Sequence, residues 1–166
     1  AGIGLSGVSA IGITNQREST IAWNRETGEA LCPAINWQCR RTAGFCDELK
    51  EEGFDELIRN RTGLVTDPYF SGTKMHWILQ NVPEAANLAR QGKLCFGTVD
   101  SWLIWKLSGG TTHAIEISNA SRTLVFDIQK CEWDSEILSR FGIPPESLPE
   151  VVPSSGVISE VDESLF

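Results

Sequence analysis

The chain has 166 residues and a formal net charge of −8, with 41% hydrophobic and 22% charged residues. This composition is typical of globular domains and excludes a chain that is disordered throughout. The acidic balance argues against a nucleic-acid-binding surface, which needs clustered positive charge. No apolar run approaches the roughly 18 residues that a membrane span requires. The length suits one domain with one hydrophobic core.

The cysteine pattern indicates a reducing environment. The five cysteines are Cys32, Cys39, Cys46, Cys95 and Cys131, an odd number without a CxxC pair. Disulfides would leave one thiol over, and zinc ligands normally come at closer spacing. No basic segment followed by an apolar stretch opens the chain, so the sequence predicts no signal peptide. We therefore expect a cytoplasmic protein with reduced cysteines.

Strands are predicted first along the chain. Residues 8–14 alternate with small residues and are predicted to form a buried strand, and residues 20–24 a second strand. A turn at Gly28 returns the chain to a third strand over residues 30–36, which favours an antiparallel meander. The polar segment 15–19 joins the first two strands.

Helical periodicity follows, and its ends are marked by glycine, proline and aspartate. The predicted helices cover residues 40–51, 54–60, 74–81, 83–91, 101–107 and 135–141. Asp100 is predicted to cap the fifth helix and Asp134 the sixth. Residues 94–98 and 123–128 are predicted strands, and residues 144–155 are mostly irregular. This mixture indicates an α/β or α+β domain.

Arg17 and Glu18 follow the first predicted strand, where sites on α/β sheets tend to lie. A guanidinium donates up to five hydrogen bonds, and a carboxylate accepts them. Side by side, the two groups suit the vicinal hydroxyls of a polyol. A solvated charged pair on a loop is the alternative.

Two aromatic residues are further candidates. The indole of Trp37 can cover the CH faces of a polyol, although a core tryptophan is the alternative. Tyr69 is the one tyrosine beside seven phenylalanines and six tryptophans, which indicates that its hydroxyl is used. Lys74 is interpreted as a surface helix residue. Residues 118–123 are interpreted as a loop that short polar side chains hold in place.

Six strings in this order resemble the glycerol kinases of the FGGY carbohydrate kinase family. They are IGITNQRE (11–18), WQCRR (37–41), TGLV (62–65), DPYFSGTK (67–74), GTVD (97–100) and NASRT (119–123). Residues 69–81 also fit the first signature of that family, with Ser71, Lys74 and Trp77 at its fixed positions. The likeness runs from about residue 8 to about residue 152. Glu116 departs from the family pattern, which usually has Thr-Asp before the Asn-Ala-Ser string.

The resemblance implies an α/β chain with the ribonuclease-H-like, actin-like ATPase fold. Residues 1–166 would form part of the N-terminal, substrate-binding lobe. The phosphate hairpin of the family would precede Ala1, and its catalytic aspartate would follow Phe166. We therefore expect the fragment alone to be inactive, with no catalytic or metal-binding residue of its own.

The same resemblance assigns the substrate contacts. Arg17, Glu18 and Tyr69 would hydrogen-bond glycerol, and Trp37 would pack on its carbon atoms. The complete enzyme would use ATP and Mg²⁺ to convert glycerol to glycerol 3-phosphate. We expect a homo-oligomer with no nucleic-acid or membrane partner. The alternatives are an FGGY kinase for another polyol or ketose, and a stand-alone module without catalysis.

Overall fold

The computed structural model of the protein describes residues 7–165, and helices make up most of its regular structure. The helices, in chain order, are α1 (Ala43–Glu51), α2 (Phe54–Thr62), α3 (Ser71–Asn81), α4 (Pro83–Arg90), α5 (Val99–Leu107), α6 (Ile117–Ala120) and α7 (Ser135–Phe141). Short 3₁₀ turns occur at Pro145–Ser147 and Glu163–Leu165. No helix in this part of the chain combines the length and apolar character needed to cross a bilayer.

The strands of the described residues form three small two-stranded sheets. They are β1 (Ile21–Asn24), β2 (Leu94–Gly97), β3 (Ala114–Glu116), β4 (Phe126–Asp127), β5 (Glu132–Trp133) and β6 (Glu150–Val152). β1 pairs antiparallel with β2, with Ile21 opposite Gly97. β3 pairs in parallel with β6, and β4 pairs antiparallel with β5. Each sheet therefore joins segments that helices or turns separate in the chain.

One main core lies between the helices and the β1–β2 pair. Leu49, Ile58, Ile78, Phe96 and Phe141 come from five different elements, and each is fully buried. Burial of one such side chain stabilises the fold by about 1.5–3 kcal/mol. Within this core α3 packs against α4 and α7, and α4 packs against β1.

The helix ends follow the predicted local signals. Gly53 and Gly63 adopt φ values of 73° and 70°, a left-handed conformation that glycine enters without strain. Pro83 occupies the first turn of α4. The Asp134 carboxylate accepts hydrogen bonds from the backbone N–H groups of Glu136 and Ile137. The predicted helices at 54–60, 83–91 and 135–141 are confirmed to within two residues.

Three strand predictions are wrong or too long. Residues 8–14 form no β-bridge to another described residue, and Ile11 and Ile13 are exposed. An alternating pattern does not make a strand without a neighbouring backbone to pair with. Residues 30–36 contribute only two isolated bridges, from Ala30 to Trp23 and from Ile35 to Thr20. The predicted strand at 123–128 shortens to β4, because Leu124 turns the backbone at φ 71°.

Candidate functional site

All four predicted site residues lie in tight turns, and Arg17 shares the turn of Glu18. Glu18 lies in a turn that the backbone N–H of Ser19 closes on Gln16 O at 3.1 Å. Trp37 lies between Asn36 and Cys39, whose backbone atoms hydrogen-bond at 3.1 Å. The Tyr69 N–H donates to Asp67 Oδ1 at 2.9 Å, directly before α3. These local bonds fix the backbone from which each side chain projects.

The rings of Trp37 and Tyr69 contact each other. Their centroids are 5.6 Å apart, and the ring planes meet at 62°. Trp37 is 39% exposed, so its outer face is open to solvent rather than packed in the core. The Tyr69 hydroxyl forms no hydrogen bond with another residue in the described range. The pair offers an apolar face and a free hydroxyl side by side, a combination that suits a polyol.

Glu18 is buried and held by an arginine that we did not predict to be functional. Its side chain is 6% exposed, and Oε1 accepts a hydrogen bond from Arg122 Nε at 2.9 Å. Oε2 has no hydrogen-bond partner among residues 7–165. Arg122 also lies 5.0 Å above the ring of Phe70. The carboxylate therefore lies beside a cation and leaves one oxygen for a further donor.

A glycine lets the Arg122 segment reach this position. The N–H of Gly72, in the first turn of α3, donates to Thr123 O at 2.7 Å. A Cβ at Gly72 would lie 2.7 Å from Val125 Cγ1 and 2.9 Å from Thr123 O. Both distances are too short for a side chain, so this close approach requires glycine. The one sequence signal that points to Arg122 is its place in the string NASRT (119–123), for which the sequence predicts a structural role.

The prediction that Lys74 lies on the surface is wrong. Its side chain is fully buried, and Nζ donates to Glu18 O at 3.0 Å, to Phe70 O at 3.2 Å and to Tyr69 O. Burial disfavours the charged form and lowers the pKa of Lys74 to about 8. Lys74 thus joins the turn of Glu18 to the turn of Tyr69. We name the Glu18 cluster as Glu18, Trp37, Tyr69, Lys74 and Arg122.

Arg17 differs from Glu18 in its exposure and in its contacts. Its side chain is exposed, and it forms no hydrogen bond or ion pair with another described residue. The structure therefore brings Glu18, Trp37 and Tyr69 together directly or through Lys74. Arg17 belongs to this group only through its position next to Glu18 in the chain.

A second polar group gathers around Asp100. Asn15 Nδ2 donates to Asp100 Oδ1 at 2.9 Å and to Asn119 Oδ1 at 3.0 Å, and Asn119 Nδ2 donates to Asp100 Oδ2 at 3.0 Å. The Thr98 hydroxyl also donates to Asp100. We name these four residues the Asp100 network. The prediction that Asp100 caps α5 is wrong, because α5 begins one residue before it.

Glu116, where the sequence departs from the family pattern, acts as a helix cap. Its carboxylate accepts hydrogen bonds from the backbone N–H groups of Ser118 and Asn119, at 2.9 and 3.2 Å. These bonds satisfy the free donors at the start of α6. The acid thus orients the helix that carries Asn119 and leads to Arg122.

No three side chains of His, Cys, Asp or Glu in the range 7–165 lie close enough together to hold a metal ion. The five cysteines are free thiols, as predicted, and burial raises the pKa of Cys46 and of Cys95 to about 11. Residues 7–165 thus offer no three-ligand cluster, and we assign no metal ion to them.

Comparisons with known proteins connect this geometry to one family. The family model described as FGGY family of carbohydrate kinases, N-terminal domain, matches residues 1–166. Glycerol kinase of Carboxydothermus hydrogenoformans is 56% identical over 159 residues, which are 96% of this chain and 32% of that protein. Glycerol kinase of Treponema denticola is 54% identical over 166 residues, which are 100% of this chain and 34% of that protein. The chain thus spans about a third of the length of these curated relatives.

Solved structures show the same fold. The crystal structure of Plasmodium falciparum glycerol kinase with ADP matches with a TM-score of 0.89 at 34% identity, over 94% of this chain and 31% of that one. A ligand-bound xylulose kinase from Lactobacillus acidophilus matches with a TM-score of 0.77 at 21% identity, over 88% of this chain and 28% of that one. This second likeness shows the fold alone. The predicted actin-like, ribonuclease-H-like fold is confirmed, and the chain forms part of its N-terminal domain.

Proposed function

Because this chain belongs to the FGGY family of carbohydrate kinases, we propose that it supplies the polyol-binding part of a glycerol kinase. The complete protein transfers the γ-phosphoryl group of ATP to a terminal hydroxyl of glycerol and forms glycerol 3-phosphate and ADP. Relatives named glycerol kinase support this substrate, because they are 54–56% identical to this chain over nearly its full length.

The observation that carries the proposal is the convergence of three separated turns in the Glu18 cluster. The Trp37 and Tyr69 rings are in contact, and Lys74 joins the backbone of Tyr69 to that of Glu18. We infer from these links that the Glu18 carboxylate, the Tyr69 phenol and the Trp37 indole contact one bound polyol. Arg17, which lies in the same turn as Glu18, completes the set of proposed substrate contacts.

These residues hold the acceptor and leave the bond-making step to other groups. The free Oε2 of Glu18 accepts a hydrogen bond from one hydroxyl, and Tyr69 and Arg17 donate to others. Trp37 covers the carbon chain and shields it from water. In the transfer itself, the terminal hydroxyl oxygen bonds to the γ-phosphorus while a base outside residues 7–165 takes the hydroxyl proton, and the bond to the β,γ-bridging oxygen breaks as ADP leaves. Orientation of the hydroxyl for this in-line displacement is what the cluster supplies.

The complete protein is proposed to use ATP as the phosphoryl donor and Mg²⁺ to neutralise the charge of the phosphates. The described residues hold no cluster of three metal-ligating side chains, and the sequence has no glycine-rich phosphate loop of the GxxxxGK type. We therefore assign neither nucleotide contact nor catalytic base to residues 7–165. The remainder of the FGGY fold is proposed to provide these groups.

The experiment is a phosphorylation assay of the full-length protein with a panel of acceptors. The panel contains glycerol, xylulose, gluconate and propane-1,2-diol at equal concentrations. We expect glycerol to give the highest kcat/KM, and the diol to lose about tenfold or more because one buried hydrogen-bonding group stays unpaired. A ketose or gluconate as the best substrate would identify another FGGY kinase. No transfer to any acceptor would support the stand-alone module instead.

The assembly and the location of the complete protein are also proposals. We propose that the complete protein is a homo-oligomer in the cytoplasm. The free cysteines favour this location, because thiols stay reduced in a reducing compartment. Light scattering after gel filtration of the full-length protein measures the assembly. A monomeric mass at all concentrations would contradict it.

A further inference from the structure

Lys74 is a buried cation for which the proposed mechanism has no role. Its side chain is 0% exposed, and its hydrogen-bond partners among the described residues are three backbone carbonyls. A buried ammonium costs free energy unless the protein supplies partners that compensate for lost water. A neutral side chain of similar length would fill the same space without this cost. The contacts that the ammonium makes therefore explain why a lysine is placed here.

The three carbonyls belong to two different turns. Tyr69 and Phe70 lie five and four residues before Lys74, whereas Glu18 lies 56 residues away. An ammonium has three N–H donors, so these contacts use all of them. The lysine thus connects the turn before β1 with the turn before α3.

The distant carbonyl distinguishes positioning from ordinary support of a helix end. A lysine that only stabilised the first turn of α3 would need the two local carbonyls alone. The bond to Glu18 O instead fixes the turn that carries the carboxylate against the turn that carries the phenol. Arg122 holds the carboxylate of the same residue at 2.9 Å. Two cations thus fix Glu18, one at its backbone and one at its side chain.

We propose that Lys74 is a positioning residue for the polyol, which holds the Glu18 and Tyr69 turns at a fixed separation without touching the substrate. The inference rests on the proposed function of this site. Methionine has a similar length but no donor, so Lys74→Met leaves the three carbonyls without their common partner. The two turns then move independently, and the substrate contacts lose their alignment.

The test compares the glycerol kinetics of the full-length protein with and without Lys74→Met. We expect KM for glycerol to rise about tenfold or more and KM for ATP to change by less than about twofold, since only the acceptor contacts shift. Ile78→Ala is the matched control, because it removes buried volume from the same helix and leaves the carbonyl contacts intact. An equal rise of KM for glycerol in both variants would show a general loss of order and overturn the proposal.

Amide hydrogen exchange gives a second measurement that needs neither substrate nor turnover. Lys74→Met should speed exchange in peptides that cover residues 16–21 and 67–72, and Ile78→Ala should leave these two peptides unchanged relative to the rest of the chain. Unchanged exchange in Lys74→Met would overturn the positioning role. Faster exchange, in a protein whose unsubstituted form phosphorylates no polyol, would support the link between the turns and reject the proposed function alone.

Lys74→Arg keeps the charge in a longer side chain and serves if the methionine variant does not fold. We expect KM for glycerol to rise about threefold, with faster exchange in the same two peptides. Lys50→Met, at an exposed position of α1, is the control and should keep native kinetics. If a folded Lys74→Arg variant also keeps the native KM for glycerol and native amide exchange, the detailed contacts of Lys74 do not matter and the proposal is overturned.

Discussion

The Glu18 cluster and the Asp100 network both start from the polar segment 15–18, yet they differ in how their hydrogen bonds are used. In the Asp100 network, the two asparagine side chains and the aspartate bond to one another, and Thr98 adds a further donor to the carboxylate. In the Glu18 cluster, the backbone carbonyls are satisfied by Lys74, but the Tyr69 hydroxyl and one Glu18 oxygen have no partner among the described residues.

This difference indicates that the Asp100 network is structural and that the Glu18 cluster binds a ligand. A network whose members satisfy one another gains little from a ligand, and it stabilises the junction of the chain segments that it joins. A cluster with unused donors and acceptors beside an exposed aromatic face can gain hydrogen bonds when a ligand arrives. Neighbours in the chain can thus serve opposite purposes, as Asn15 and Glu18 do.

The largest expected effect comes from Asp100→Ala, which should lower stability and leave substrate binding nearly intact. It removes the acceptor of three side-chain hydrogen bonds, at about 1 kcal/mol each, so we expect a loss of roughly 2–4 kcal/mol in the free energy of unfolding. Thermal unfolding of the full-length protein measures it. Asp100→Asn, which keeps the shape, should lose less. A large rise of KM for glycerol at native stability would remove the distinction between the two groups.

Glu18→Ala should have the opposite profile, with a large effect on binding. Hydrogen bonds to a charged group contribute about 1.5–3 kcal/mol each, so we expect KM for glycerol to rise roughly tenfold or more. Steady-state kinetics with glycerol as the varied substrate measures this. Glu26→Ala, at an exposed carboxylate, is the control. Near-native glycerol kinetics in Glu18→Ala would exclude Glu18 from the site.

Trp37→Ala should have a smaller effect on the same substrate. Its exposed indole is proposed to cover the carbon atoms of the polyol, and loss of part of an aromatic contact costs about 1 kcal/mol, which is roughly fivefold in KM. Trp37→Phe should retain most of the contact. Trp102→Phe, in the separate tryptophan cluster around Trp23, should leave KM unchanged. An equal effect at Trp37 and Trp102 would indicate general packing rather than binding.

The smallest effect is a pH dependence that only the Glu18 cluster should show. As pH rises through about 8, Lys74 loses its proton and one of its three donors, so KM for glycerol should rise about threefold by pH 9. The charged and titratable groups around the ammonium are Glu18, Cys39, Cys46 and Asp67.

The free energy of unfolding should increase over the same pH range in which glycerol binding weakens. The pKa of Lys74 is lower in the folded protein than in the unfolded chain, so the unfolded chain binds more protons between about pH 8 and about pH 10.5. The contribution of Lys74 to the free energy of unfolding therefore increases as pH rises through this window. Cys39→Ser removes one of the two thiols whose charge would raise the pKa of Lys74, and it should preserve both trends. A KM that stays constant to pH 9 would contradict the role of the Lys74 charge.

The parts of the fold that depend on local chemistry were predictable from the sequence. Glycines at 53 and 63, Pro83 and Asp134 end or begin helices through their own backbone preferences or side-chain hydrogen bonds. Strands depend on a distant partner, and this explains the error over residues 8–14. The pairing of β1 with β2 joins segments about 70 residues apart, which no local pattern specifies.

The site divides in the same way. The resemblance supplied Arg17, Glu18, Trp37 and Tyr69 as proposed contacts, and the structure gives the geometry of the last three. The resemblance assigned no role in the site to Lys74 or Arg122. Their roles depend on the Glu18 carbonyl and carboxylate, which lie 56 and 104 residues away in the chain. The helical pattern around Lys74 therefore predicts a surface residue, because the turns whose carbonyls it contacts are not apparent from the sequence.

A crystal structure of the full-length protein with glycerol bound tests the central claim most directly. We expect hydroxyl oxygens within about 3.2 Å of the Glu18 carboxylate and of the Tyr69 hydroxyl, with the carbon chain against Trp37. Glycerol bound at another place, with water on these three side chains, would contradict the account.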